Sequence, residues 1–457
     1  MTQKRDEVKV TGVTECMRIS MTSEATSFVI AFATLLFVFS LVSRKISGTV
    51  VTAPMIFVAA GLLLSPEGLD LVELSAGSSF VLLVAEVALV LTLFADASRI
   101  ELRALGQKGG LQNRLLFLGL PLVIFTGTAS AAVIFTDLTL PEAALLGAIL
   151  APTDAGLGQT IVNNPKLPIR ARQGLNIESG LNDGGAIPFF IFFLVLASGE
   201  ELNQPIGTLL SLALEQIGFG AFVGIALGLL GGWLSGRASR AGWTSELYHR
   251  IEFLALAITS WLVADGIGGS GFVAAFLAGM ASGAMGRRVE EEEIIFTEAE
   301  GSILSLAVFF IFGVVTATRL SAIGFSEIVY AVLSLTAIRM VPVAISLIGT
   351  KLHRETVLFL GWFGPRGLAS VVLLLIAIEE AEGIQGLETI SLVVTTTVLL
   401  SVFAHGISAN PASEWYSRRV AALPEDAPEL GEVKELPARP EFNAPENPQG
   451  NSREKTQ

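Results

Sequence analysis

The sequence predicts an all-α membrane protein of about thirteen transmembrane helices. Three observations carry that prediction. Of its 457 residues 52% are hydrophobic and only 16% charged, whereas a soluble domain is nearer 25% charged. The apolar residues fall in runs of about 17–25, enough to cross a roughly 30 Å hydrocarbon core as helix. The runs are too long for barrel strands and lack strict alternation. Helices then remain as the way to satisfy the backbone in lipid.

The predicted spans centre on Leu35, Phe57, Val87, Leu122, Leu150, Ile187, Ile225, Ala257, Phe276, Val308, Leu335, Val371 and Leu399. Lys and Arg alternate between the loops that join them. One set carries Arg44 and Lys45; Arg99, Arg103, Lys108 and Arg114; Lys166, Arg170 and Arg172; Arg237, Arg240 and Arg250; Arg287 and Arg288; Lys351 and Arg354; Arg418 and Arg419. The other set has Arg319 alone and holds acids such as Glu67, Asp70, Glu73, Glu200, Glu201, Glu382 and Glu388. The positive-inside rule then puts the C-terminal tail in the cytoplasm and the N-terminus outside. Lys4, Arg5, Lys9 and Arg18 run against the rule.

Residues 1–24 form a polar N-terminal segment without a cleavable-signal pattern. Residues 25–415 form the membrane domain. Residues 416–457 are expected as a cytoplasmic tail, and its Pro, Glu, Ala and Asn-rich part from 421 has too little apolar content to fold. The net charge of −13 and the lack of a basic stripe exclude a nucleic-acid partner. Cys16 is the single cysteine, and the three histidines, His249, His353 and His405, are scattered. No Cys-based zinc site, resident cofactor or Gly-x-x-x-x-Gly-Lys phosphate loop is expected.

Ionisable groups within spans are costly, at least about 2.5–3.5 kcal/mol each, and mark cavities or partners. Span three carries Glu86 at its middle and Asp96 nearer its cytoplasmic end. Span five contains Ala151-Pro152-Thr153-Asp154-Ala-Gly156-Leu-Gly158. Pro152 removes a backbone donor and clashes with the preceding turn, so this span is expected to break in mid-bilayer. Its freed carbonyls lie beside Asp154, and half-helix ends carry partial charge that needs neutralising.

Span six contains Glu178-Ser179-Gly-Leu-Asn182-Asp183. Ser179, Asn182 and Asp183 share one helix face. Two carboxylates, an amide and a hydroxyl within two turns make a hard-oxygen surface suited to an alkali cation. Span seven repeats glycine at Gly220, Gly224, Gly228, Gly232 and Gly236, which lets another helix approach closely. Gly268-Gly-Ser-Gly271 reads as a tight turn and Glu290 to Glu293 as a solvated run. Span eleven holds Arg339. Span twelve contains a second break, Gly361-Trp-Phe-Gly364-Pro365-Arg366-Gly367. Each buried arginine needs an acid or free carbonyls nearby. Paired broken helices point to a transporter's binding site. Their spacing, seven spans apart, fits two inverted six-helix repeats flanking one extra helix.

At these residues the chain resembles bacterial sodium/proton antiporters of the cation:proton antiporter superfamily, on the electroneutral branch that includes the sodium/hydrogen exchangers. The resemblance covers roughly residues 25–415. It rests on Thr153-Asp154, on Glu178-Ser179 with Asn182-Asp183, on Gly-Ser-Gly-Phe-Val-Ala-Ala-Phe at 269–276, and on Gly364-Pro-Arg-Gly367.

The resemblance implies that spans five and twelve cross and that Asp183 binds either cation or proton. It implies a metal-ion set of Asp183, Asp154, Ser179 and Thr153 for Na+ or K+, with Asn182 marking one-for-one exchange. Glu178 would pair with Arg339, Arg366 would supply charge in the second broken helix, and Glu86 would reach the ion through water. It further implies a homodimer in the cell (inner) membrane, built of a moving core and a dimerisation domain. The exchanged cation is expected to be Na+, with K+ as the alternative and Li+ unresolved. Two more distant alternatives are a channel, which needs a continuous polar pore, and an intramembrane enzyme built on Ser179 and His405.

Overall fold

The computed structural model describes residues 23–46, 49–99, 110–201, 205–285, 291–380, 384–424 and 426–431. These residues are helical, without strands. The N-terminal segment up to residue 22, the tail from 432, and Arg103, Lys108, Arg287, Arg288, Glu290 and Glu382 lie outside them.

The helices are α1 (Ser23–Ile46), α2 (Ala53–Leu64), α3 (Ser79–Ser98), α4 (Leu111–Ile134, opened into a π-turn at Leu115–Gly119), α5a (Leu140–Ile149) and α5b (Ala155–Val162). Next come α6 (Ile169–Glu201), α7 (Ile206–Arg240), α8 (Glu246–Gly266), α9 (Gly271–Ala284), α10 (Glu291–Ala317) and α11 (Phe325–Ser346, interrupted at Thr336). The last are α12a (Arg354–Trp362), α12b (Leu368–Glu380) and α13 (Leu387–Val420). Among the described residues eight helices are long and apolar enough to cross a membrane: α1, α3, α4, α6, α7, α10, α11 and α13. The other predicted centres fall in the shorter α2 and α9, in α8, or in the two broken pairs.

The helices pack as two groups. One joins α2, α3 and α7 to α10; the other joins α4, α5a, α5b, α6 and α11 to α13. The groups meet where α6 lies against α3, α7 and α9, and where α12b lies against α3 and α10. The span-seven glycines work within the first group. A methyl at Gly224 or Gly228 would come within 2.8 Å of the Ala274 or Ala278 Cα of α9, and Gly220 and Gly232 meet Ser270 and Ser282 in the same way. The stripe is therefore occupied by α9 and is not left for a second copy. Gly236 is outside this contact; its nearest neighbour is Arg240.

The tail expectation needs one correction. Helix α13 runs through 416–420, and residues 426–431 fold back onto the second group. Arg170 Nη1 donates to the Pro428 carbonyl at 2.5 Å. The buried Glu429 carboxylate accepts from the His353 backbone N–H at 2.7 Å and from the Thr356 hydroxyl at 3.0 Å. Burial pushes the Glu429 carboxyl up, but these hydrogen bonds outweigh it and leave it below the ordinary carboxylate value. Composition missed this segment because one buried acid with a matched set of donors needs no apolar run.

Candidate functional site

Spans five and twelve both break, and their breaks meet. Helix α5a starts on a capping box: Thr139 Oγ1 accepts from the Glu142 N–H while Glu142 caps the Thr139 N–H. It ends at Ile149, just before Pro152, where the backbone leaves helical geometry and resumes at Ala155. Helix α12a stops at Trp362 ahead of Gly364-Pro365, and α12b resumes at Leu368. The Asp154 N–H donates to the Pro365 carbonyl at 2.8 Å, joining the two gaps directly.

Four half-helix ends thus point into one small volume, two carrying partial positive charge and two partial negative. Two side chains neutralise three of them. Asp154 Oδ1 accepts from the Gly156 N–H at 2.7 Å and the Leu157 N–H at 3.4 Å, capping α5b. Its Oδ2 accepts from the Leu368 N–H at 2.7 Å, capping α12b. Arg366, fully buried, donates from Nη1 to the Ala151 and Pro152 carbonyls at 2.7 and 3.1 Å, closing the end of α5a. The glycines of Gly364-Pro-Arg-Gly367 make room for charge. A methyl at Gly367 would lie 2.8 Å from Asp154 Cβ, and one at Gly364 would lie 2.8 Å from Arg339 Cζ.

Helix α6 runs past this crossing. The Thr153 N–H donates to Asn182 Oδ1 at 3.2 Å, and Asn182 Nδ2 donates to Thr153 Oγ1 at 2.6 Å. Thr153 Oγ1 and Ser179 Oγ are 3.2 Å apart. Asp183 follows Asn182 and is 6% exposed. One turn back, Arg339 Nη1 donates to Glu178 Oε1 at 2.5 Å, with both side chains buried. Thr153, Asp154, Glu178, Ser179, Asn182, Asp183, Arg339 and Arg366 therefore lie around one crossing; Arg366 feels the charges of Arg339, Glu178 and Asp183.

Glu86 does not join them. Its charged neighbours are Glu379, Asp265 and Glu380, and it lies ten residues, about 15 Å of helix, from the acid of α3 that does approach. That acid is Asp96, buried, with its Cβ 3.3 Å from where a Gly180 methyl would stand. The two acids share a helix but differ in depth, and the break in span five fixes which depth matters. The Ser179–His405 pairing behind the enzyme alternative is also absent: His405 contacts Ser401 and Trp362, and Ser179 contacts Thr153. Sequence reading missed Ser370, which donates to the Ile149 carbonyl at 2.8 Å, and Ser401, which accepts from the Arg366 N–H at 2.7 Å. Lone serines in apolar helices give no signal of such partners.

The buried Glu178–Arg339 pair yields a stability prediction. Removing either charge alone strands the other, at a cost of about 3–5 kcal/mol. E178Q and R339Q should each lower the melting temperature and yield of purified protein. The E178Q/R339Q double variant should recover much of the loss, because coupled residues are not additive. Additive losses across this cycle would show that the two charges do not act as a pair.

Residues 28–415 match the family model for the transmembrane sodium/hydrogen exchanger. The chain is 27% identical over 429 residues to the K(+)/H(+) antiporter NhaP of Alkalimonas amylolytica, covering 90% of this chain and 72% of that protein. It is 24% identical over 361 residues to the K(+)/H(+) antiporter NhaP2 of Shewanella sp. (strain ANA-3), covering 79% of this chain. The chain spans 62% of the length of that relative. In fold it is similar to the sodium proton antiporter MjNhaP1 from Methanocaldococcus jannaschii at pH 8, with a TM-score of 0.67 and 19% identity over 86% of this chain and 99% of that one.

Proposed function

The chain belongs to the transmembrane sodium/hydrogen exchanger family, and from that premise we propose that it exchanges a monovalent cation for a proton, the two competing for Asp183. The observation that carries this reading is a buried carboxylate on α6, adjacent in sequence to the Asn182 that is hydrogen-bonded to Thr153 at the helix crossing. A charged carboxylate at that depth is costly. Either a proton or a dehydrated alkali cation removes the cost, and each leaves a similar net charge on the site. The empty, charged site is the form that does not cross, which prevents leak.

The side chains around Asp183 have separate tasks in this reading. Asp154 and Arg366 neutralise half-helix ends, so the crossing keeps its shape whether or not a cation is bound. Ser179 and Thr153 offer hydroxyl oxygens to the cation, and Asp154 adds negative field. Glu178 and Arg339 hold α6 against α11. Asn182 brings an amide where a second acid would add charge, so one cation replaces one proton. The group containing α6 rocks against the group containing α3 and α9, exposing the site to each side in turn. The protein sits in the cell (inner) membrane with the Arg418–Arg419 end in the cytoplasm and works as a homodimer.

Sodium is the first reading for the cation. Potassium is the second, favoured by the names of the two antiporter relatives. Purified protein in liposomes, challenged with Na+, K+ and Li+ salts at two pH values, tests both. Saturable, cation-driven proton movement that is unchanged by a membrane potential is expected. Cation flux without proton movement would identify a channel and reject exchange.

A further inference from the structure

The gap in span twelve is held by α13, and that hold has a direction. His405 is 1% exposed and stacks on Trp362 with ring centroids 5.0 Å apart. Its Nε2 lies 2.9 Å from the Trp362 carbonyl, the last residue of α12a. Its Nδ1 lies 3.2 Å from Ser401 Oγ and 3.0 Å from the Ser401 carbonyl. The same Ser401 Oγ accepts from the Arg366 N–H at 2.7 Å. Trp362 is itself tied down, its Nε1 donating to Ser408 Oγ at 2.9 Å.

A carbonyl only accepts, so the contact with Trp362 is a hydrogen bond only if Nε2 carries the proton. In a neutral ring Nδ1 is then an acceptor, and the Ser401 hydroxyl is the donor that faces it. Protonated on Nε2, the ring makes two hydrogen bonds, to the Trp362 carbonyl and from the Ser401 hydroxyl, with Nδ1 also facing the Ser401 carbonyl at 3.0 Å. Protonated on Nδ1, it would keep only a bond to Ser401, and lone pairs of Nε2 and the Trp362 carbonyl would oppose each other. A doubly protonated ring would place a further positive charge near Arg366 and Arg339, whose charges already reach it. One chain of donors results: the Arg366 N–H to Ser401, the Ser401 O–H to His405 Nδ1, and the His405 Nε2–H to Trp362. Both ends of the Trp362–Arg366 gap are thereby fastened to α13.

We propose that His405, neutral and protonated on Nε2, is a positioning residue that with Ser401 fixes the broken segment of span twelve and so sets where Arg366 closes the end of α5a. Its contribution to ion exchange rests on the function proposed above; the assignment of the proton to Nε2 does not.

Two measurements test this. Solid-state NMR of protein carrying ¹⁵N-histidine, with H405Q to identify the signal, should show His405 protonated on Nε2 and bare on Nδ1. A proton on Nδ1, or on both nitrogens, would overturn the proposal. In liposomes H405Q keeps a donor near the Nε2 position and should stay within about threefold of the wild-type apparent cation affinity, whereas H405A and S401A each lose a buried hydrogen bond and should weaken it about tenfold. S401A removes only a hydroxyl and should still yield folded protein, so a failure of H405A to fold leaves that variant to decide. Unchanged affinity in S401A, or H405Q as impaired as H405A, would overturn it. A wild-type chain that moves no cation would remove the exchange reading alone, and the NMR result would still decide the proton's position.

Discussion

Asp183→Asn is expected to abolish cation-driven proton movement while leaving folded protein in the membrane. Asparagine keeps the shape of the side chain but carries neither a negative charge nor an exchangeable acid proton. A cation entering the site would then lack its main compensating charge. An uncompensated buried charge costs about 3–5 kcal/mol, so cation affinity should fall by more than about 100-fold. Folding should survive because the crossing is held by Asp154 and Arg366, and neither of these contacts involves Asp183. Everted vesicles with a pH-sensitive dye report the loss. Sodium- or potassium-driven dequenching that persists in the variant would take Asp183 out of the mechanism.

Gly367→Ala is expected to destabilise the helix crossing strongly. The new methyl would lie 2.8 Å from Asp154 Cβ and Cγ, at the carboxylate that caps α5b and α12b. Asp154 is pinned by backbone donors on both oxygens and cannot swing aside without releasing a half-helix end. Overpacking of this kind costs about 1–3 kcal/mol, and a lost hydrogen bond to a charged group adds about 1.5–3 kcal/mol. Thermal unfolding in detergent should show a fall of several degrees or more, with transport lost in parallel. Gly158→Ala is the control, since a methyl there meets nothing within 4 Å. Alanine is about 1 kcal/mol better than glycine in a helix, so Gly158→Ala should be neutral or stabilising. Equal tolerance of the two substitutions would mean that Asp154 is not confined as described.

Much of this arrangement is legible in the sequence, because local covalent chemistry determines it. Pro152 and Gly364-Pro365 announce the two breaks, and i+3 and i+4 spacing puts Ser179, Asn182 and Asp183 on one face. Tertiary pairing is another matter. The spacing of Asp154 gives no hint that one oxygen caps its own half-helix and the other caps a half-helix 214 residues away. Glu86 and Asp96 both look like intramembrane acids of span three, and their depth relative to the crossing separates them. The glycines of α7 announce a close approach but not its partner, which is α9. Around the carboxylate of Glu429 the donors come from residues far away in sequence, so composition alone reads its segment as unfolded.

Proton release on cation binding tests the competition most directly. Calorimetric titration of the purified protein with a sodium or potassium salt, repeated in buffers of different ionisation enthalpy, counts the protons released per cation bound. The account predicts one proton released per cation where the site starts protonated, and neither binding nor release in D183N. Cation binding that releases no proton at any pH would contradict it.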